Sequence, residues 1–528
     1  MAVTRPASQT QGIDDEVDRL RADYDSTPYT SNSFPQSAPG QLAAIAHLFG
    51  LDTPAVTTAR VLEIGCAAGG NIIPFAAAHP AARVVGIDLS QVQIDAGRAR
   101  AQALGLDNLE LVAGDIARVN LAGPFDYIVA HGVYSWVPTQ VQEALLAAIR
   151  RLLAPNGVAY LSYNTHPGWK SKEIMRDAML LASGASETPD EKVRAARSMA
   201  EFLEEVAPAD GVLARVLAEA RTFNEGFADS YLLHDELETF NAPCYFYELV
   251  GRAGAHGLAY LAEARPETMI PGNFGPKVEE YVLEKCGGVQ VLVEQYLDFV
   301  VNRAFRQSLL VHAERSPQIR YQPDRSRYSR MHFAAWIPPV DGPTVMDHSR
   351  QEYQQSDDST LFTNDPGIKA ALDALSARWP WTLSRQELVD DVRVRLAAAG
   401  FNPSADLSEI VDSLVQLLIF QGQAHFRLDP VLPDPTREPL RLDEPARRMA
   451  EFTDGNGEAS TFNRWHETVP LAPLDRHLLP LLDGTRDRDA LVDAMTAVAG
   501  DASGDWVDSA PQRLAELKLL RVDRPISG

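Results

Sequence analysis

The stretch "RVLEIGCAAGGNIIPFA", Arg60 to Ala76, constrains the fold of this chain more than any other. An apolar run meets a glycine-rich turn, then a polar residue, then a second apolar run. That is a strand feeding a helix through a tight loop, where backbone N–H groups and the helix dipole favour a polar or anionic ligand. The alternation continues downstream. Candidate strands "RVLEI", "RVVGID", "LELVAGD", "FDYIVAH" and "GVAYLSYN" are separated by helical stretches, notably "QVQIDAGRARAQALG" and "TQVQEALLAAIRRLLA". Strands alternating with helices of this length predict βαβ units and a parallel sheet. Ligands on such sheets bind at the carboxyl ends of the strands, which singles out Glu63, Asp88, Asp115 and the run from His131.

The loop narrows the ligand. A dinucleotide fingerprint reads GxGxxG, its second glycine letting the backbone approach a pyrophosphate. Here Gly65 is followed by Cys66, Ala67, Ala68, Gly69 and Gly70, so that glycine is missing, which counts against NAD. Cys66 reads as a small residue tolerated in the loop. Carboxylates end three successive strands: Glu63 beside the loop, Asp88 where a ribose would present its hydroxyls, and Asp115 where an adenine amino group would lie. Asp115 taken singly is the softest of the three, since an Asp after a strand is often a helix cap. This acid–loop–acid–acid order resembles the class I S-adenosylmethionine (SAM) methyltransferases. The resemblance implies that the loop carries the amino-acid end of SAM, the second acid the ribose and the third the adenine, with Leu89 and Ile116 beside those acids. A Rossmann-like sheet that binds NAD, or nothing, is the competing reading.

The acceptor side is less explicit. The fourth strand ends "AHGVYSWVP", without the [DN]PP[YF] typical of enzymes that methylate amino groups of DNA bases. An aromatic and imidazole cluster is present instead: His131, Tyr134 and Trp136, then Tyr163, Asn164, His166 and Trp169 in "SYNTHPGW". Methyl transfer from a sulfonium is an in-line displacement, so the protein mainly holds nucleophile and methyl group in line. An amine acceptor must first lose a proton, for which a Tyr or His acceptor is suited, and aromatic faces hold a cationic lysine head. His131, Tyr134, Trp136 and Asn164 are the expected catalytic residues, and His131 also borders the cofactor.

Composition sets the partners. Basic residues number 48 against 72 acidic ones, a formal charge of -24, which repels nucleic-acid phosphate and anionic lipid and suits a basic peptide. Acidity that serves solubility alone explains the charge equally well. The three cysteines form neither a disulfide framework nor a paired CxxC, and no metal is expected. The N-terminus lacks an apolar signal region, and no apolar run approaches the ~20 residues of a membrane span. A cytoplasmic protein is the expectation.

Six motifs in order, "YDSTPYTSNSFPQS", "LEIGCAAGGNIIPFA", "IVAHGVYSWVP", "SYNTHPGW", "HDELETFNAPCYFYELVGRAGAHGLAYLAEA" and "DFVVNRAFRQSLL", resemble methyltransferases with a methyltransferase regulatory domain. Their functionally understood members are the rickettsial-type protein-lysine methyltransferases, which modify outer-membrane protein. The resemblance implies a SAM domain, a helical middle part, a C-terminal winged-helix-like part and often a homodimer. By motif match, Tyr24 and Tyr29 lie on an N-terminal flap near SAM. Glu63, Gly65, Gly69, Asn71, Asp88 and Asp115 line the cofactor, and His131, Tyr134 and Trp136 lie near the acceptor. Ala67 stands where many relatives have glycine.

The expected fold is thus α/β: a Rossmann-like class I methyltransferase sheet with helical insertions, plus C-terminal winged-helix-like α+β modules. The expected divisions are a flap and helix at 1–40, a SAM-binding domain at 41–165 and a helical middle region returning to the sheet at 166–340. A linker at 341–365 precedes winged-helix-like modules at 366–430 and 431–528. "WTLSRQELVDD" and "GTRDRDALVDA" mark the two modules as similar. Winged helices often bind DNA, but past residue 361 acidic side chains outnumber basic ones. The candidate recognition helix carries Asp406, Glu409 and Asp412, so a protein partner is expected. The expected activity is N-methylation of lysine in a protein or peptide. The alternatives are a small-molecule O- or N-methyltransferase, its pocket roofed by the middle and C-terminal regions, and a SAM-binding regulator without turnover.

Overall fold

The computed structural model describes residues 17–520 except 23, 27, 29–30, 187, 209, 212, 218–231, 233–236, 239, 403–406, 433–438, 454–456 and 458. The five predicted strands form as β1 (Arg60–Ile64), β2 (Arg83–Asp88), β3 (Leu109–Ala113), β4 (Phe125–Ala130) and β5 (Leu153–Asn164). With β6 (Leu258–Glu263) and β7 (Phe305–His312) they make a seven-stranded sheet of order β3-β2-β1-β4-β5-β7-β6. β1 to β5 pair in parallel, and β7 runs antiparallel between β5 and β6. This is the Rossmann-like methyltransferase sheet, with its strand order reversing between β1 and β4.

Side chains alternate across the sheet as a period of two requires. Tyr127 and Val129 of β4 and Val158 and Tyr160 of β5 pack on one face with α1 (Pro39–Leu48). Ile128, Ala130, Ala159 and Leu161 pack on the other with Leu145 and Ile149 of α4 (Thr139–Leu152). The strands read as continuous apolar runs because both faces are covered. Between these helices, α2 (Ile72–Ala78) follows the glycine loop and α3 (Gln91–Ala103) follows β2. Ser90 caps α3 by accepting from Gln93 N at 3.2 Å.

After β5 the chain leaves the sheet through α5 (Gly168–Ser183) and α6 (Pro189–Val206), whose own core includes Met175, Met179 and Val193. It returns through α7 (Phe246–Ala255), β6, α8 (Pro276–Cys286) and α9 (Gln290–Val300). The sequence reads as one helix through "VLVEQYLDFVVNRAFRQSLLV", but the helix ends at Val300 and residues 305–312 are β7. Asn302, at φ 48°, makes the break, a left-handed conformation that Asn tolerates. Beyond it the apolar period changes from helical to two, Leu309 and Val311 facing one core and Leu310 the other.

A buried charge cluster pins this return. Arg306 of β7 meets Glu263 at 2.7 Å, Glu294 at 3.1 Å and Asp298 at 2.8 Å, under the ring of Phe246. Arg303 pairs with the same Asp298 at 2.7 Å.

The first C-terminal unit is three helices on a small sheet. β8 (His332–Ala334) lies between β11 (Leu383–Ser384) and β12 (His425–Arg427), with α10 (Pro366–Arg378), α11 (Arg385–Ala398) and α12 (Leu407–Phe420) packed upon it. β8 falls within the stretch read as the middle region. The stretch read as a linker carries an antiparallel hairpin of β9 (Gln351–Gln354) and β10 (Thr360–Thr363). Leu372, Leu388, Val411 and Leu418 share one core with Tyr127 of the large sheet.

The second unit, with α13 (Glu444–Met449), β13 (Ser460–Phe462), β14 (Thr468–Pro470), α14 (Pro473–Leu478), α15 (Arg488–Ala499) and α16 (Ser503–Glu516), has its own core around Leu478, Leu491, Met495 and Leu514. The sequence repeat is a shared cap: Ser384 accepts from Glu387 N before α11, and Asp487 accepts from Ala490 N before α15. On α12, Asp412 is not displayed to a partner; it is buried against Arg385 at 2.6 Å.

Candidate active site

A cavity of about 600 Å³ opens at the carboxyl ends of the strands around the β1–β4 reversal, within the ~300–1,000 Å³ range of small-molecule sites. Tyr24, Glu63, Gly65, Cys66, Ala67, Asn71, Asp88, Leu89, Asp115, Ile116 and His131 all line it. Tyr29 lies outside the described residues. Gly69 is not in the lining; at φ 79° it shapes the turn, its amide donating to Cys66 O at 2.8 Å.

The loop after β1 is tied to β2. The amides of Gly65 and Cys66 donate to Ile87 O at 2.8 and 3.1 Å, and that of Ala67 donates to Asp88 Oδ2 at 2.8 Å. Gly65 has φ 75°, and a Cβ there would collide with Val133 Cγ2, so glycine is required. Ala67 takes φ 48° with a methyl group, a strained choice. Cys66 is buried, and that burial, with the nearby carboxyls of Glu63 and Asp88, pushes its thiol well above the usual range. It is a packed residue, not a nucleophile.

Glu63 is the informative acid. Its side chain is 3% exposed, Oε1 accepts from Asn71 Nδ2 at 2.7 Å, and Oε2 has no partner among the described residues. Burial, with a contribution from Asp88, raises its pKa to about 8 against the opposing Asn71 hydrogen bond. A buried carboxylate oxygen left open beside a cavity calls for a cationic donor. The ammonium of SAM is such a donor, so the residues present fit that cofactor. Asp88 accepts from Ala67 N and from Ser90 N at 2.9 Å, which fixes its carboxylate at the cavity wall. Asp115 accepts from Ala117 N at 2.8 Å and lies 3.5 Å from Arg118. Leu89 and Ile116 add apolar surface beside the two acids, as a flat base requires.

The other half of the cavity is aromatic. Trp136 and Trp169 meet edge to face at 6.1 Å, and His131 stacks on Phe34 at 3.8 Å with Phe305 at 6.2 Å. His131 Nδ1 is 2.9 Å from Tyr160 OH, and burial lowers its pKa to about 4, so the ring is neutral near pH 7. Asn164, at the end of β5, donates from Nδ2 to Asn241 Oδ1 at 3.0 Å and also lines the cavity. The buried indole N–H of Trp169 has no partner among the described residues.

Tyr134 requires a correction. It is fully buried in the core under α4, edge to face with Tyr163, and its hydroxyl is 3.4 Å from Arg252 Nη1. It does not line the cavity, because the short turn after β4 sends Tyr134 inward and Trp136 to the wall. Phe34 and Phe305 are wall residues that the sequence reading did not assign. Both lie in quoted motifs, but Phe34 reaches the site by its amide donating to Asn71 Oδ1 at 2.8 Å, a contact no local pattern announces.

Comparison with known proteins agrees with this geometry. Three family models match: "Methyltransferase domain" at 61–157, "Predicted methyltransferase regulatory domain" at 228–312, and "PKMT, C-terminal winged helix domain" at 443–518. The uncharacterized protein RP789 of Rickettsia prowazekii is 33% identical over 484 residues, covering 89% of this chain and 85% of that protein. Uncharacterized protein RP028 of the same organism is 36% identical over 232 residues, 44% of this chain and 93% of that protein. The structure of PKMT2 from Rickettsia typhi in complex with AdoHcy superposes with a TM-score of 0.81 at 26% identity, covering 93% of this chain and 99% of that one. The chain belongs to the class I SAM-dependent methyltransferases that carry a methyltransferase regulatory domain. It is an enzyme, and SAM is its cofactor. Among the described residues no helix is long and apolar enough to cross a membrane.

Proposed function

We propose that this methyltransferase N-methylates lysine side chains of a protein or peptide in the cytoplasm. The observation that carries the reading is the aromatic half of the cavity, where Trp136, Trp169, His131 and Phe305 surround a position bordered by the Asn164 carboxamide. Aromatic walls accommodate an alkylammonium stem and head. The formal charge of -24 favours approach of a basic segment rather than nucleic acid. The likeness to a protein named PKMT2 supports the same substrate class.

SAM, when bound, supplies a methyl group on a sulfonium that an uncharged amine can attack. In this reading Glu63 holds the cofactor ammonium, Asp88 the ribose hydroxyls and Asp115 the base amino group, with Leu89 and Ile116 flanking the base and Tyr24 closing from the N-terminal side. Only the uncharged amine has a lone pair to attack with, so the lysine proton passes to water before transfer. His131 does not strip that proton, because a group titrating at about 4 is too weak a base. It acts as a neutral wall, pinned by Tyr160 and Phe34. Asn164, whose amide hydrogen is engaged by Asn241, presents its carbonyl to the amine and orients the nitrogen lone pair.

The test adds purified enzyme and SAM with a radiolabelled methyl group to a lysate lacking this gene, then counts macromolecules and small molecules separately. Label on protein, traced to lysine by mass spectrometry, is the expected result. Label confined to the small-molecule fraction, or SAM binding without transfer to either, overturns the lysine reading.

A further inference from the structure

The second C-terminal unit, far from the cofactor loop in sequence, touches it in space. The turn between β13 and β14 carries His466, 8% exposed and at φ 64°. Its Nε2 lies 3.0 Å from Asn71 Oδ1. Asn71 is otherwise committed: Nδ2 donates to Glu63 Oε1 at 2.7 Å and to Ser37 Oγ at 3.0 Å, and Oδ1 accepts from Phe34 N at 2.8 Å. With Asn71 Oδ1 as acceptor, the His466 proton sits on Nε2, so the hydrogen bonds run in one direction from His466 through Asn71 to Glu63. Burial lowers the imidazole pKa to about 3, which keeps the ring a neutral single donor. A second tie lies alongside, Ser33 N and Oγ both 2.8 Å from Thr468 Oγ1, so the start of β14 also grips the segment before Phe34.

Ordinary packing between units is the plainer explanation, and an apolar side chain would serve it. The chain instead places a ring in the left-handed region, which strains a residue other than glycine. That ring points at Asn71, whose side chain braces the open carboxylate of the cofactor site.

We propose that His466 is a positioning residue for SAM: through Asn71 it sets the Glu63 carboxylate, so that cofactor affinity depends on the docked C-terminal winged-helix unit. This rests on the cofactor site and not on the identity of the methyl acceptor. SAM affinity, measured by titration calorimetry on the full-length protein, tests it in four variants. His466→Ala should raise Kd for SAM about 3- to 10-fold, the usual weight of one hydrogen bond. His466→Gln, which keeps an N–H donor at similar reach, should restore most of that loss. In an Asn71→Ala background, His466→Ala should change Kd by less than about 2-fold, since the mediator is gone. A purely structural role would give no rescue by Gln and the same factor in both backgrounds, and either result overturns the proposal. Coupling is reciprocal, so SAM should slow amide hydrogen exchange across 460–470 in the wild-type protein. Exchange there that ignores SAM also overturns it, independently of whether any variant folds.

Discussion

Replacing Glu63 by Gln isolates the charge at the end of β1 while keeping an oxygen to accept from Asn71. The free carboxyl titrates at about 8 because burial opposes its ionisation and Asp88 adds to that opposition. A cofactor ammonium requires the ionised form, so below that value binding must first displace a proton. The cost is ~1.36 kcal/mol per pH unit: about 2.7 kcal/mol near pH 6 and about 0.7 kcal/mol near pH 7.5 on that scale. The difference of about 2 kcal/mol is roughly 30-fold in affinity. Wild-type Kd for SAM should therefore fall by about 30-fold from pH 6 to pH 7.5, while Glu63→Gln stays within about 3-fold across the range. Titration calorimetry at the two pH values reads both numbers, and repeating it in buffers of different ionisation enthalpy counts the proton released. A wild-type affinity that is flat with pH, or a variant with the same slope, refutes the assignment of Glu63 to the ammonium.

The same carboxyl has a consequence for the free protein. Its folded value lies above the ordinary 4.5, so the native state holds a proton that the unfolded chain releases, and stability should fall as pH rises from about 4.5 to 8; denaturant melts should show this slope diminished in Glu63→Gln. Asp88→Ala removes a charge-assisted hydrogen bond of ~1.5–3 kcal/mol and the brace on Ala67 N, so SAM should bind at least about 10-fold more weakly, and unchanged calorimetric affinity would strike Asp88 from the site. Tyr134→Phe should leave SAM affinity and the rate of methyl transfer within about 2-fold and lower stability by no more than about 1 kcal/mol; a 10-fold slower rate would return the hydroxyl to the chemistry. Ala67→Gly relieves a left-handed alanine and should stabilise the fold by up to about 1 kcal/mol in a urea melt, an outcome reversed if the loop is unstrained.

The cofactor half of the cavity was readable because its residues lie where local rules apply: a glycine turn at the end of a strand, and acids closing the next two strands. The acceptor half was readable only in part. Trp136 and Tyr134 sit two residues apart after the same strand, and composition gives no reason for one to face the wall and the other the core. β7 was hidden because an amphipathic helix runs into it without Gly or Pro punctuation, the break being made by Asn302 alone. Lost with it were Phe305, at the cavity, and the partners of Arg306. His466 left no trace at all, since its contact with Asn71 spans most of the chain, and neither residue carries a motif for the other.

The place of β7 also governs how this polypeptide can be cut or made. Ala159 of β5 pairs with Leu310 of β7, so β5, an interior strand of the sheet, finds its second neighbour only after the whole segment between them has left the ribosome. Until then β5, buried over Val158–Asn164 in the finished fold, presents an unpaired apolar edge of the kind that templates aggregation. A fragment ending near Asn164 would retain every acid of the cofactor site and yet lack the strand that shields it. The segment matched by the regulatory-domain model thus supplies the two strands, β6 and β7, that complete the catalytic sheet.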